Sequence, residues 1–188
     1  MSATTPNKVL WTVDDLDHLP ENGDRYEVID GDLYVTRVPH WKHQAAVGGF
    51  YFELQSWSKK NGFGKAVPSP GVNFSLWSAV IPDVVWCSTN RLERLLNENG
   101  HLTGAPELIV EVLSQSQKDK DRDRKAKLKL YSVEGVQEYW ICDYERQIIQ
   151  IFRRDNAILV KAMTLYSSDT LTSPLLRDFS CRVEDLFD

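Results

Sequence analysis

"PELIVEVLSQS", residues 106–116, decides how this chain is read. Its core is almost continuously apolar, which suits a strand covered on both faces in the middle of a sheet. Alternation along such a strand puts Ile109 and Leu113 on one face with Glu111, and Val110 and Val112 on the other. An acid on an apolar face is costly unless a cation or hydrogen-bond donors meet it. Upstream, "IPDVVWCS", residues 81–88, repeats the theme, with Asp83 after a proline at the mouth of a short buried-type strand. A salt bridge to the basic helix that follows is the plain account of Glu111, and a strand-end cap that of Asp83. The alternative is that the two acids converge on one site.

The segment after Glu111 bears on that choice. Residues 119–133 read as a helix on which Asp123, Lys127 and Tyr131 recur every fourth residue and so share a face. Lys125 and Lys129 lie roughly 200° away from Lys127 at about 100° per residue. A lysine in a basic run ordinarily belongs to a solvated face, and a tyrosine beside Leu128 and Leu130 ordinarily packs in a core. This helix, however, directly follows the strand of Glu111, and the carboxyl ends of strands are where open α/β sheets place their sites. Glu111 and Lys127 therefore have a meeting point.

Outward from this centre the chain alternates strands, helices and hairpins, which predicts a mixed α/β sheet in one domain, residues 1–188. A short helix over 12–19 has Thr12 as cap, and "YEVIDGDLYVTRV" turns at Asp30-Gly31 as a β-hairpin. Residues 42–60 carry Val47, Phe50, Leu54 and Trp57 at helical spacing. "FGKAVPS" and "GVNFSLW" suggest strands around Ser69-Pro70-Gly71, and a polar helix is expected near 90–98. "QEYWICDY" and "QIIQIFRR" read as strands joined at 143–146, and the tail as short strand and turn.

Composition is that of a globular protein, with 42% hydrophobic and 26% charged residues in 188. No stretch reaches the roughly 20 mostly apolar residues of a membrane span, and the first residues lack the order of a signal peptide. A cytoplasmic location without membrane contact is the expectation. Cys87, Cys142 and Cys181 form no C-x-x-C pair and read as buried free thiols. His40 and His43 stand three apart with no third nitrogen or sulfur ligand in sight, so a zinc site is not expected. Net charge is −5, which disfavours a surface that grips nucleic acid all over. Residues 118–129, with seven basic and three acidic residues, supply a local basic patch.

Taken together, "IPDVVW", "PELIVEVLSQS", the D-x-x-x-K-x-x-x-Y spacing and "GVQEYWICD" resemble the PD-(D/E)xK nuclease superfamily. The closer resemblance is to its Uma-type branch of restriction-endonuclease-like proteins, and it takes in "RYEVIDGDLY" and His43 over about residues 12–187. The resemblance implies a mixed-sheet restriction-endonuclease-like core flanked by helices, with an N-terminal β-hairpin and C-terminal strands. It also implies a metal-dependent endonuclease acting on DNA, working as a homodimer. Asp83 and Glu111 match the acids that ligate Mg²⁺ (Mn²⁺ in its stead), and Glu27 matches an upstream acid that completes the metal site. Leu113 stands where the motif has its lysine; Lys127 matches a lysine moved to the next helix, so that Glu27, Asp83, Glu111 and Lys127 form the implied catalytic set. DNA would be met by Lys118, Arg122, Arg124 and Lys125, with His43 at the site edge. The rival reading is a module of the same fold that binds or assembles without catalysis.

Overall fold

The computed structural model describes residues 9–187; residues 1–8 and 188, included in the expected single domain, lie outside the described residues. The first helix, α1 (Val13–Leu16), has the cap read from the sequence. Thr12 Oγ1 accepts from the Asp15 N–H at 3.3 Å, and the Asp15 carboxylate accepts from the Thr12 N–H at 2.7 Å, a reciprocal capping box. β1 (Arg25–Ile29) and β2 (Asp32–Thr36) form the expected hairpin. Its two loop residues, Asp30 and Gly31, have φ of 51° and 78°, the positive pair that a tight I′ turn demands.

The chain continues through α2 (Trp41–Asn61), β3 (Gly64–Pro68), β4 (Val72–Ser75), β5 (Ser78–Val80), β6 (Val84–Ser88), α3 (Thr89–Leu95) and β7 (Leu108–Val112). One helical run follows, made of α4 (Gln117–Asp121), a π-helical segment (Arg122–Lys127) and α5 (Leu128–Glu134). Then come β8 (Glu138–Asp143), β9 (Ile148–Asp155), β10 (Ile158–Leu165), β11 (Thr170–Ser173) and β12 (Leu176–Arg182).

The main sheet is six-stranded in the order β10-β9-β8-β7-β6-β3. Only β7 and β8 pair in parallel, and the helical run makes the crossover between them. The sheet is therefore mixed, as the sequence predicts. Its central strands alternate strictly. Val84, Trp86, Leu108, Val110, Val112, Trp140 and Cys142 face α2, meeting Ala46, Val47, Phe50, Leu54 and Trp57. Val85, Ile109, Leu113, Tyr139 and Ile141 face the other way, against Leu130 and Tyr131 of α5. At about 25 cal/mol per Å² of apolar area, these two layers are the principal driving force for the fold. Glu111 lies on the α5 side.

A second, antiparallel sheet, β2-β1-β5-β4, contributes Ile29, Val72 and Val80 to that same layer. Ser69-Pro70-Gly71 is thus not a hairpin turn. It carries the chain from β3, paired with β6, into β4 of the other sheet. The tail is more regular than its sequence suggests. β10 is an eight-residue edge strand, and the β11-β12 ribbon buries Leu171, Leu176, Phe179 and Cys181 beneath α2. Beyond it a 3-10 turn at Glu184–Leu186 comes so close to α2 that a Cβ on Gly49 would run into the Leu186 carbonyl.

Candidate active site

Antiparallel pairing of Val84 with Val110 sets Asp83, one residue earlier, beside the carboxyl end of β7. Its Oδ2 accepts the Val112 N–H at 2.9 Å, and its Oδ1 accepts from Arg25 Nη1 at 2.9 Å. His43 Nε2 stands 3.4 Å from Oδ2. Glu111 points from β7 towards the helical run, where its Oε1 accepts from Lys127 Nζ and from the Tyr131 hydroxyl, each at 2.8 Å. Glu27 arrives from β1 of the other sheet. Its Oε1 accepts from Lys127 Nζ at 2.8 Å and from the Ile81 N–H at 2.8 Å. A cleft of about 550 Å³ has Arg25, Glu27, His43, Asp83, Glu111 and Lys127 in its wall. The four residues expected from sequence to act together are brought together, all of them buried.

The π-helical segment explains a departure from the sequence reading. In an α-helix Arg122 would sit about 140° around the axis from Lys127, five residues at about 100° each. In a π-helix residues five apart lie one above the other, so Arg122, Asp123 and Lys127 all turn inward. Arg122 was expected on an exposed DNA-facing strip. It is instead buried, donating to Asp123 Oδ1 at 3.0 Å and to Thr36 Oγ1 at 2.6 Å, and it stands 3.7 Å from Glu27 Oε2. The rest of that strip is dispersed. Lys118 is exposed at the cleft, Arg124 is half-buried 4.0 Å from Asp143, and Lys125 lies outside the cleft near Asp121 at 3.6 Å.

Burial and charge set the protonation of the group. Burial raises Asp83, but the His43 contact, Arg25 and the Val112 N–H outweigh it and hold the carboxyl at about 2. Burial likewise raises Glu111; Lys127 opposes this, while Asp83, Asp123 and Glu27 add to it, and the carboxyl stays well above the ordinary range. Lys127 is pulled down by burial and pushed further up by Glu111, Glu27 and Asp123, so it is a fixed cation. Three buried carboxylates, Glu27, Glu111 and Asp123, thus crowd around Lys127 and Arg122, with Asp83 beside Glu111.

Among the described residues no three His, Cys, Asp or Glu side chains are grouped so as to hold a metal ion. Glu27, the third acid of the implied metal site, has its carboxylate engaged by Ile81, Lys127 and Arg122. Asp83 and Glu111 line the cleft as an all-oxygen pair, the first paired with Arg25 and the second with Lys127. That donor set fits Mg²⁺, which takes one or two carboxylates and keeps several waters.

Two partnerships escaped the sequence reading. Tyr131 packs in the core as expected but also donates to Glu111. Glu138, buried on β8, accepts from Arg153 Nε and Trp140 Nε1 at 2.8 and 2.9 Å. Arg25 carried no signal at all, since nothing local marks it as a partner of Asp83.

The Uma2 family model, described as "Putative restriction endonuclease", matches residues 13–184. The chain belongs to the Uma2 family. This Uma2 protein is also similar in fold to a crystal structure from Anabaena variabilis ATCC 29413, described as "a putative nuclease belonging to DUF820". The TM-score is 0.73 with 22% identity, covering 94% of this chain and 97% of the other. Among curated proteins no relative matches it. None of the described helices is long and apolar enough to cross a membrane.

Proposed function

We propose that this Uma2 protein is a metal-dependent endonuclease that hydrolyses phosphodiester bonds in DNA. The observation that carries this reading is the convergence of Asp83, Glu111 and Lys127 on one cleft. Asp83 and Glu111 would hold Mg²⁺, with Mn²⁺ as a substitute; bound there, the ion would offset the charge that builds on phosphate oxygens and lower the pKa of a water. Lys127 adds a preorganised positive charge beside them. Glu27 acts through Lys127: it anchors the ammonium from the far side of the cleft, at 2.8 Å. Arg25 and the Val112 N–H fix the orientation of Asp83. Lys118, exposed in the cleft wall, would meet the DNA backbone, with His43 at the site edge beside Asp83. Cutting both strands of a duplex would take two such sites, and a homodimer belongs to the same proposal.

A second reading, a nuclease-fold module without catalysis, is favoured by the lack of any three-ligand metal cluster among the described residues. Incubation with supercoiled plasmid, linear duplex and single-stranded DNA in Mg²⁺, Mn²⁺ or EDTA separates the two. Cleavage that needs metal and falls by about 10²-fold or more in Glu111→Gln, the scale of losing one preorganised charge-stabilising group, supports the nuclease. No cleavage, together with no metal binding by calorimetry, assigns the chain to the second reading.

A further inference from the structure

Each of the two acids that line the cleft already holds a side-chain cation. Asp83 Oδ1 is 2.9 Å from Arg25 Nη1, and Glu111 Oε1 is 2.8 Å from Lys127 Nζ. A divalent ion bound by this pair would have both cations as near neighbours, and like charges at such range in a buried cleft repel strongly. The repulsion is relieved if one of them withdraws. Lys127 cannot, since its side chain is 2% exposed and Glu27 holds it from the other sheet at 2.8 Å. Arg25 is otherwise placed. It opens β1, its side chain is 24% exposed, and its Nη2 donates to the Ser69 hydroxyl at 3.1 Å. Arg25 lines not only the cleft but a second cavity of about 310 Å³, so its side chain has room to leave Asp83.

Resting on the metal-dependent reading above, we infer that Arg25 is a positioning residue that competes with the divalent ion for Asp83, so that loading of the site requires its guanidinium to withdraw. The other partners of Asp83 stay where they are. The Val112 N–H belongs to the backbone of β7, and His43 is buried on α2; both face Oδ2, whereas Arg25 holds Oδ1. Asp83 therefore keeps its orientation through fixed contacts on one oxygen and can exchange the cation on the other. The competition has a definite sign. If Arg25 only oriented a metal ligand, deleting its charge would weaken Mg²⁺ binding; as a competing cation, its deletion strengthens that binding.

The test is calorimetric titration of Mg²⁺ into the full chain without nucleic acid, with thermal melts in EDTA to show that each variant is folded. Arg25→Gln is expected to bind Mg²⁺ about tenfold more tightly than the parent, equivalent to about 1.4 kcal/mol. Arg25→Lys keeps the charge and should bind as the parent does. Combining Arg25→Gln with Asp83→Asn should abolish the gain, because the carboxylate under competition is gone. An affinity in Arg25→Gln equal to or below the parent's overturns the inference. So does a gain that survives Asp83→Asn or that Arg25→Lys shows equally. Should Arg25→Gln not melt cooperatively, Ser69→Gly carries the test: it removes the hydroxyl that anchors Nη2 and suits a backbone with φ of 50°. It too should tighten Mg²⁺ binding, and an unchanged affinity there overturns the inference. If neither the parent nor Arg25→Gln binds Mg²⁺ or Mn²⁺, the metal-dependent reading fails first and this inference falls with it; a parent that binds and a variant that binds no better removes the inference alone.

Discussion

Replacing Lys127 by methionine keeps most of the side chain's volume and deletes its charge. Glu27 would retain the Ile81 N–H and Arg122, but Glu111 would be left with the Tyr131 hydroxyl alone. A carboxylate so stranded takes up a proton rather than remain charged. Its ordinary value is 4.5, so neutralising it costs about 4 kcal/mol at about pH 7.5 and about 1.4 kcal/mol at about pH 5.5, at 1.36 kcal/mol per unit. These figures cap the damage, and the first agrees with the 3–5 kcal/mol typical of breaking a buried ion pair. For a chain of this size each kcal/mol lowers Tm by about 2–4 °C. The loss is then at most about 8–16 °C at the higher pH and about 3–6 °C at the lower, and smaller to the extent that the parent already holds Glu111 above its ordinary value. The sign follows from the raised folded-state value: a stranded Glu111 binds its proton more tightly folded than unfolded, so stability falls as pH rises. Melts in EDTA of the parent, Lys127→Met, Glu111→Gln and the double variant measure this. The double variant has no charge to strand, so at the higher pH it should exceed Lys127→Met by at least about 1 kcal/mol. A single-variant loss that does not change with pH, or a double variant no better than additive, refutes the reasoning.

Mg²⁺ should raise the parent's Tm by relieving the crowding of Asp83 and Glu111, by about 2.7 kcal/mol of stability at a hundred times its dissociation constant. Asp83→Asn and Glu111→Gln should abolish that rise; a rise of equal size in both variants would place the ion elsewhere. Gly49→Ala should cost about 1–3 kcal/mol in urea unfolding, as over-packing does, because the Leu186 carbonyl is backbone and cannot step aside; a variant as stable as the parent would mean that the 3-10 turn is not held against α2. Cys87 and Cys181 are both pushed up to about 12, chiefly by burial, and Cys142 is buried as well. The native protein should therefore react with a thiol reagent orders of magnitude more slowly than the unfolded chain at neutral pH, and rapid native labelling would contradict that burial.

How much of this was legible follows from how local each signal is. Glu111 and Lys127 were readable because strand alternation and four-residue helical spacing are short-range rules, and both side chains obey them. Asp83 was flagged by the proline before it and the apolar run after it. The hairpin at Asp30-Gly31 and the Thr12 cap are local chemistry and appear as read. What resisted reading is set by contacts distant in sequence. The anchoring of Lys127 by Glu27 depends on a second sheet, joined through the pairing of Val28 with Ala79, and no pattern near Glu27 announces it. Arg122 was placed outside because its neighbourhood reads as an α-helix, and only the tertiary pull of buried carboxylates accounts for the wider winding.

The π-helical segment has a genealogical side. Such a segment is an α-helix carrying one surplus residue, since its bonds reach back five positions where an α-helix reaches back four. Excision of Ala126 would let the run rewind as plain α-helix, and everything beyond the cut would shift by one position relative to Gln117. Lys127 would then stand four α-helical positions after Arg122, about 40° from it around the axis, so the π-helical turn lets the chain carry a surplus residue while Arg122 and Lys127 keep to one face. Within relatives of this chain, loss of one residue between β7 and α5 should therefore leave the inward-facing basic residue where it is.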